Sequence, residues 1–199
     1  MRRSEGGYTV DRLNGRLLPV TFDVPGDPDV EAVLADHAQA LGEIVGTLES
    51  TLVATEEGPS PLGQLAAEAV RSATGSDISM VHRNWVGSSL EAGPITVGDL
   101  VMVHPDREPV LTAQVKGSVI GGLGRLPGQL FSGCEVEDST IVRIADVAVD
   151  TAAFYRLSAP ASVFTWVEGL LNLSTFRTGY RIDTAIERYI RLKGLVQPN

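Results

Sequence analysis

Histidine, cysteine and glycine motifs are the features of this 199-residue sequence that could carry chemistry. The three histidines are His37, His82 and His104, and no two of them have the short spacing that zinc ligands use. The one cysteine, Cys134, has no cationic neighbour in sequence that would favour a thiolate. The sequence also lacks a Walker-type glycine loop, a G-x-S-x-G elbow and an H-E-x-x-H helix. These observations argue against an autonomous catalytic site.

The composition is typical of a globular domain. Hydrophobic residues make up 43% and charged residues 21% of the chain, and no apolar run approaches the ~20 residues of a membrane span. With 16 basic and 25 acidic residues the net charge is −9, which repels phosphate backbones unless the few arginines cluster. A single cysteine excludes an internal disulfide. The first residues lack the apolar stretch of a signal peptide.

Start and stop signals predict several helices. Asp27 followed by Pro28 is a helix start, and apolar residues then recur at helical spacing up to Gly42. We expect His37, which lies on that apolar stripe, to be half-buried. Ser60-Pro61 begins a second helix that Gly75 ends. Further helical segments are expected at 119–123 and 183–193, and a capping box is expected at 96–99.

Strand character appears between these helices. The strands are expected at residues 16–22, 43–54, 77–81, 110–115, 140–144, 154–158 and 163–167. Because helices and strands alternate without a strict βαβ rhythm, the predicted fold class is α+β, with mixed sheets and flanking helices. Residues 1–26 are predicted to be a linker with one strand, and residues 27–199 to be one domain.

The segment Ser60–Val70 resembles the opening helix of the C-terminal domain of the 5′-nucleotidase family, which reads E-S-x-L-G-N-L-x-A-D-A. Later fragments resemble the same family in the same order. Glu91–Leu100 is similar to its A-G-x-I-T-x-x-D-L, and Gly179–Asp183 with Tyr189-Ile190 is similar to its t-G-y-x-D…Y-I ending. The resemblance covers nearly the whole chain from about Asp27 onward, and Leu17–Asp29 is similar to the family's interdomain linker.

The resemblance implies a two-part enzyme of nucleotide catabolism. In the family, a preceding metallophosphoesterase domain holds two divalent metals on D-x-H, G-N-H-D and G-H-x-H motifs and performs the hydrolysis. The C-terminal module supplies the nucleoside pocket and part of the phosphate grip. None of the metal motifs occurs in these 199 residues, so we expect no catalytic residue, no metal ligand and no cofactor in this chain, and no phosphatase activity from it alone. Family members are often exported, and the compartment of this one stays open.

Most positions that bind nucleotide in the family have changed here. The family's N-x-G-G-I-R loop aligns with residues 82–87, so its asparagine is His82 and its arginine is Gly87. The family has two phenylalanines that stack on the base, and their positions are occupied here by Asp106 and Ser162. In the loop of the second phenylalanine only the acidic residue is kept, as Glu168. Stacking contributes ~1–3 kcal/mol per base, and an arginine binds an anion through two hydrogen bonds. We therefore expect a degenerate nucleotide site.

The replacements leave two interpretations of the site open. The weak candidates for substrate binding are His82, Arg83, Trp85, Asp106, Arg107, Trp166 and Glu168. They could form a new pocket with tryptophan stacking and an arginine. Alternatively, both tryptophans plug a closed cleft, and the arginines pair with Glu91, Asp106 or Glu168. We favour the second interpretation, and we expect His104 to lie on a loop surface.

The sequence therefore predicts a domain that contributes substrate recognition to a metallophosphoesterase domain outside these residues. That N-terminal domain would be its partner in a longer parent protein, while neither nucleic acid nor a membrane is expected as a partner. The alternative is a stand-alone, non-enzymatic binding or interaction module that has kept the fold.

Overall fold

The computed structural model describes residues 2–4, 7–9, 15, 25–55, 58–85, 87–171 and 174–196. The chain divides into two compact units, Met1–His37 and Ala38–Asn199. The strand expected at residues 16–22 lies entirely outside the described residues, so that expectation and the predicted domain boundary at residue 26 stay predictions.

Helices and strands are mixed, which confirms the α+β fold class. The helices are α1 (Pro28–Leu41), α2 (Pro61–Thr74), α3 (Val97–Val103), α4 (Gly117–Ile120), α5 (Ala161–Leu171) and α6 (Ile182–Lys193), with short 3₁₀ turns at Arg83–Trp85 and Gly121–Arg125. The strands are β1 (Arg2–Ser4), β2 (Gly7–Thr9), β3 (Ile44–Leu48), β4 (Ile78–His82), β5 (Gly93–Thr96), β6 (Pro109–Lys116), β7 (Gln129–Ser132), β8 (Cys134–Glu137), β9 (Thr140–Ile144), β10 (Val147–Ala148), β11 (Phe154–Pro160), β12 (Thr175–Arg181) and β13 (Leu195–Val196).

The first unit contains the β1–β2 antiparallel pair and most of α1. Asp27 begins α1 as expected, because its Oδ1 accepts hydrogen bonds from the amides of Asp29 and Val30 at 2.9 and 3.3 Å. The apolar stripe of α1 is exposed, and so is His37. The prediction of a half-buried His37 is therefore wrong, because helical periodicity identifies an apolar face without determining whether that face is covered.

The second unit is organised around a five-stranded mixed sheet in the order β12-β6-β11-β4-β7. Its one parallel pair is β11–β4, and the remaining neighbours are antiparallel. Two three-stranded sheets accompany it, β13-β3-β5 and the antiparallel β10-β9-β8. Among the described residues, no helix combines the length and apolar character needed to cross a bilayer.

Two hydrophobic cores hold this unit together, one involving each face of the large sheet. The first packs α2 and α6 against the sheet and against β3 and β5, with Leu62, Val70, Ile95 and Ile186 at its centre. The second packs α5 and the 3₁₀ turn at 121–125 against the opposite face, with Met80, Leu157 and Phe164 fully buried. The large sheet therefore lies between two packed layers.

Local capping signals are read correctly from the sequence. Ser60 Oγ accepts a hydrogen bond from the Gly63 amide at 3.3 Å, and Gly75 ends α2 in the left-handed conformation at φ 60°. Thr96 and Asp99 form the expected capping box at α3. Residues 163–167 are the exception, because they belong to α5 and not to a strand.

Candidate functional site

A shallow cavity of about 480 Å³ lies where strand β4 ends and strand β7 begins. Its wall includes His82 from the end of β4, Arg83 and Asn84 from the turn after it, Gly128 from the turn before β7, and Trp166 from α5. Three of the seven sequence candidates, His82, Arg83 and Trp166, therefore line one cavity. This is the loop for which the sequence resemblance predicts a base-binding role.

His82 lines this cavity, and its hydrogen bond indicates which ring nitrogen carries the proton. Its Nδ1 accepts a hydrogen bond from the Asn84 amide at 3.2 Å, which places the ring proton on Nε2. Burial, followed by the positive charge of Arg83, lowers the pKa of His82 below its usual value of 6.5. The imidazole is therefore neutral at pH 7, and it offers an aromatic surface and one donor rather than a positive charge.

Gly128 is required at its position beside His82. Its φ is +70°, and a Cβ atom added there would lie 2.6 Å from His82 Nε2. Gly128 is not among the residues named from the sequence, although the Pro127-Gly128 dipeptide is a recognisable turn signal. The turn could have been predicted, but its contact with His82 depends on the pairing of β4 with β7, which local sequence does not show.

Arg83 is held by the backbone of a neighbouring loop. Its Nη1 donates a hydrogen bond to the Gly58 carbonyl at 2.8 Å, while its Nε is buried without a hydrogen-bond partner. The ion pairs expected for Arg83 with Glu91, Asp106 or Glu168 are not among those formed by the described side chains. Glu91 instead accepts a hydrogen bond from Thr51, and the side chain of Glu168 lies outside the described residues.

Trp85 and Trp166 contact His82 but have different environments. The His82 ring centroid lies 5.4 Å from that of Trp85 and 6.4 Å from that of Trp166, the second pair being edge-to-face. Trp85 is half-buried and packs against the second core. Trp166 is 48% exposed. The expectation that both tryptophans plug a closed cleft is therefore wrong for Trp166, because α5 directs this position toward solvent.

His104 fixes the turn that carries Trp85. Its Nδ1 lies 2.9 Å from the Trp85 carbonyl, so Nδ1 must be the donor. The Gly87 amide adds a hydrogen bond of 2.7 Å to the Val103 carbonyl. His104 is only 2% exposed, so the expectation of a loop-surface histidine is wrong. The sequence gives no signal for its burial, because the Trp85 carbonyl is a long-range partner.

Asp106 and Arg107 do not line the cavity. Asp106 is exposed. Arg107 adopts φ 49°, a conformation that glycine reaches more easily, and its Nε donates to Asp183 Oδ2 at 2.8 Å. Arg181 donates to both oxygens of the same carboxylate. Arg107 thus pairs with a buried aspartate rather than with any of the three acidic residues expected from the sequence.

Ser162, which aligns with a stacking phenylalanine, lies in the first turn of α5. Its backbone amide donates to Glu108 Oε2 at 3.0 Å, and its hydroxyl bonds the same oxygen. Glu108 therefore satisfies an otherwise free amide at the start of α5 and places negative charge at the positive end of the helix dipole. This position supports a helix and offers no ring to a ligand.

A second cavity of about 650 Å³ lies at the other end of β4. Arg71, Asp77 and Arg143 line it together with Cys134. Burial raises the pKa of Cys134 to about 11, so its thiol remains protonated at neutral pH, as the sequence analysis expects. Among the described residues, no group of three or more histidine, cysteine or acidic side chains could hold a metal ion.

Comparisons with known proteins identify the fold and match part of the chain to one family model. Residues 41–123 match the family model described as "5′-nucleotidase, C-terminal domain". A 5′-nucleotidase precursor from Thermus thermophilus superposes with a TM-score of 0.70 at 20% identity, over 88% of this chain and 42% of that one. The sulfate thiohydrolase SoxB from the same organism gives a TM-score of 0.65 at 18% identity, over 89% and 38%.

A curated relative matches part of the chain. The endonuclease YhcR of Bacillus subtilis (strain 168) is 29% identical over 80 residues, which are 40% of this chain and 6% of that protein. The chain therefore spans less than half the length of the relatives it matches. The family model matches residues 41–123 and the solved structures share the α+β fold over most of the chain, so the resemblance to the C-terminal domain of 5′-nucleotidases is confirmed.

Proposed function

We propose that this domain contributes substrate recognition to a metallophosphoesterase domain outside these 199 residues, and that its nucleotide site is degenerate. The observation that carries the proposal is the cavity formed by His82, Arg83 and Trp166 at the loop that aligns with the family's base-binding loop. A cavity with an aromatic side chain and a few polar groups is a common form of small-molecule site.

Three aligned positions support the degeneracy of the site. Gly87 has no side chain to bind an anion, and a Cβ atom added there would lie 3.0 Å from the Met102 carbonyl. Asp106 is exposed outside the cavity, and Ser162 is bonded to Glu108. None of these positions supplies the ring or the guanidinium that would hold a nucleotide in the family manner.

AMP is expected to bind this chain with a dissociation constant weaker than ~10 μM, which corresponds to about −7 kcal/mol. The physical reason is the loss of two stacking rings and of a bidentate arginine. Isothermal titration calorimetry with the intact chain measures this directly. A tighter constant that weakens when Trp166 is changed to alanine would mean that the cavity has been rebuilt as a nucleotide site, and the degeneracy proposal would fail.

The isolated chain is expected not to hydrolyse 5′-nucleotides or p-nitrophenyl phosphate in the presence of Mn²⁺ or Zn²⁺. The metal motifs of the family are absent from the sequence, and the described residues do not fit a metal centre. Phosphate release is measured in each fraction from the last purification column. Turnover that follows the protein peak through that column would contradict the proposal.

The alternative function is a stand-alone binding module, which the exposure of Trp166 beside Arg83 favours. The two functions predict different coding sequences upstream of residue 1. An upstream reading frame that encodes the D-x-H and G-N-H-D motifs supports substrate recognition for a catalytic domain. A reading frame that starts at Met1, together with binding of a ligand by the isolated chain, supports the module.

A further inference from the structure

The cavity at the end of β4 carries positive charge in an otherwise acidic chain. Arg83 lines it, while no carboxylate lies among the lining residues that the structure describes. The chain as a whole has a net charge of −9. A wall that has a guanidinium and no opposing carboxylate attracts anions, because the positive charge is not already neutralised by the protein.

Arg83 keeps hydrogen-bond donors that a ligand could use. A guanidinium has five N–H groups in a fixed fork. Nη1 donates to the Gly58 carbonyl at 2.8 Å, which anchors the side chain. Nε is buried and has no hydrogen-bond partner among the described residues, and a buried donor without an acceptor is costly. The guanidinium is therefore held in place while donors remain for an anion.

A single proton changes what His82 offers to this cavity. In the neutral ring Nδ1 accepts the hydrogen bond from the Asn84 amide at 3.2 Å. Protonation places a hydrogen on both ring nitrogens, so Nδ1 can no longer accept. The proton therefore releases the Asn84 amide as a free donor and adds a second positive charge beside that of Arg83.

Two charged or titratable side chains face His82 among the described residues. Arg83 follows it on the turn, and His104, from the end of α3, lines a small inner cavity with it. Strand β7 presents the uncharged Gln129 opposite His82, and α5 presents Trp166. Helices α2 and α6 contribute apolar side chains to the inner cavity. Burial and then the charge of Arg83 lower the pKa of His82, and a bound anion would offset the second effect.

We propose that this cavity binds a small oxyanion group of its ligand at mildly acidic pH and releases it at neutral pH. The inference rests on the proposed function, because it specifies the ligand chemistry of the same cavity. The His82 imidazolium and the Arg83 guanidinium supply two positive charges, and the Asn84 amide supplies a neutral donor. Trp166, which is 48% exposed, offers a ring surface to the rest of the ligand.

The coupling between proton and anion has a defined direction. Because the protonated ring binds the anion better than the neutral ring, affinity rises by up to about tenfold per unit of pH decrease above the pKa of His82. It is constant below that pKa. Linkage is reciprocal, so the bound anion must move the titration of His82 toward higher pH.

A sulfate titration of the full chain tests the proposal, followed by NMR of the backbone amides at about pH 7.5, 6.5 and 5.5. Ionic strength is low and constant, because salt screens such contacts. Sulfate remains a dianion over this range, so any effect of pH on affinity comes from the protein. The dissociation constant should be at least about tenfold lower at the acidic end than at the neutral end. The largest shifts should include the Asn84 amide.

Acetate is titrated in parallel to distinguish the two common kinds of oxyanion. Sulfate binding that is tighter than acetate binding at the acidic end supports a ligand with a phosphate-like group, and the reverse order supports a carboxylate ligand. The ring signals of the three histidines are followed in the same samples. Sulfate should move the titration of His82 toward higher pH and leave that of His37 unchanged.

His82→Asn removes the titrating group but keeps a side-chain acceptor near the position of Nδ1. This variant should bind sulfate weakly and equally at all three pH values. His37→Asn is the matched control, because it makes the same change at an exposed position on α1, and it should leave the pH dependence intact. Arg83→Gln should weaken binding at every pH by about threefold or more. Thermal melts establish that each variant is folded.

Three results would each overturn the proposal. They are a sulfate affinity that is equal at both ends of the pH range, a pH dependence that survives His82→Asn, and one that disappears in His37→Asn. None of them would affect the proposed degeneracy of the nucleotide site, which depends on AMP binding at neutral pH. Conversely, tight AMP binding at neutral pH would contradict that degeneracy whatever the sulfate titration shows.

Discussion

Truncation of Phe164 to alanine is expected to lower the free energy of unfolding by about 3–5 kcal/mol, because it removes a ring that is 1% exposed. The ring belongs to the second core, where α5 packs against the large sheet. For a chain of this length each kcal/mol shifts the melting temperature by ~2–4 °C, so we expect a decrease of roughly 10 °C or more. Differential scanning calorimetry measures this shift.

Phe176→Ala is the matched control, since it makes the same chemical change at an exposed position of β12. It should move the melting temperature by no more than ~2 °C, because a surface substitution changes stability by about 0.5 kcal/mol. The comparison also tests the structure of residues 161–171. If both variants melt alike, Phe164 is not buried under a helix, and the assignment of α5 is wrong.

Replacement of Asp183 by asparagine is expected to destabilise the chain by about 2–3 kcal/mol at pH 7, or roughly 5–10 °C. The carboxylate is 7% exposed and accepts charged hydrogen bonds from Arg107 at 2.8 Å and from Arg181 at 3.1 Å. Asparagine keeps the shape but loses the negative charge that both guanidiniums face. Because the two arginines are themselves half-exposed, the expected loss of stability is smaller than the loss from breaking a fully buried ion pair.

The effect of Asp183→Asn should depend on pH in a defined direction. Burial alone would raise the pKa of Asp183, but the hydrogen bonds from Arg181 and Arg107 outweigh burial and hold it below the ordinary 3.8. The contribution of Asp183 is therefore fully present above the unfolded-state pKa, near pH 4, and is lost as the pH falls through the folded-state value. Melts from pH 7 to pH 2 should show the difference between parent and variant narrowing only below about pH 4.

Asp106→Asn serves as the control for the pH series, because Asp106 is exposed and its substitution should leave the melting temperature within ~2 °C at every pH. A constant difference between parent and Asp183→Asn down to pH 2 would contradict the role assigned to the carboxylate. The loss would then come from packing and not from charge.

Elements whose signals are local could be predicted from the sequence. The Ser60 cap, the Gly75 terminator and the Thr96–Asp99 box all act within four residues, and each lies where the sequence places it. Residues 163–167 are predicted as a strand because a short apolar run has no decisive period. The helix found there is determined in part by Glu108, whose contact with Ser162 spans 54 residues.

The candidate site was predictable only in part for the same reason. His82, Arg83 and Trp166 could be named from the resemblance and share one cavity. The burial of His104 and the pairing of Arg107 with Asp183 arise from tertiary contacts that no local pattern encodes. Gly128 enters the site through the register of β7 on β4, which places Gln129 opposite His82.

The contact between Glu108 and Ser162 limits what engineering could restore in this domain. A phenylalanine introduced at position 162 would recover the aligned ring but would remove the hydroxyl that bonds Glu108, and its bulk would compete with that carboxylate at the helix start. A single reversion would therefore disturb α5 instead of rebuilding a base clamp. A stacking ring at this position would therefore require residues 108 and 162 to change together, because the start of α5 depends on the contact between them.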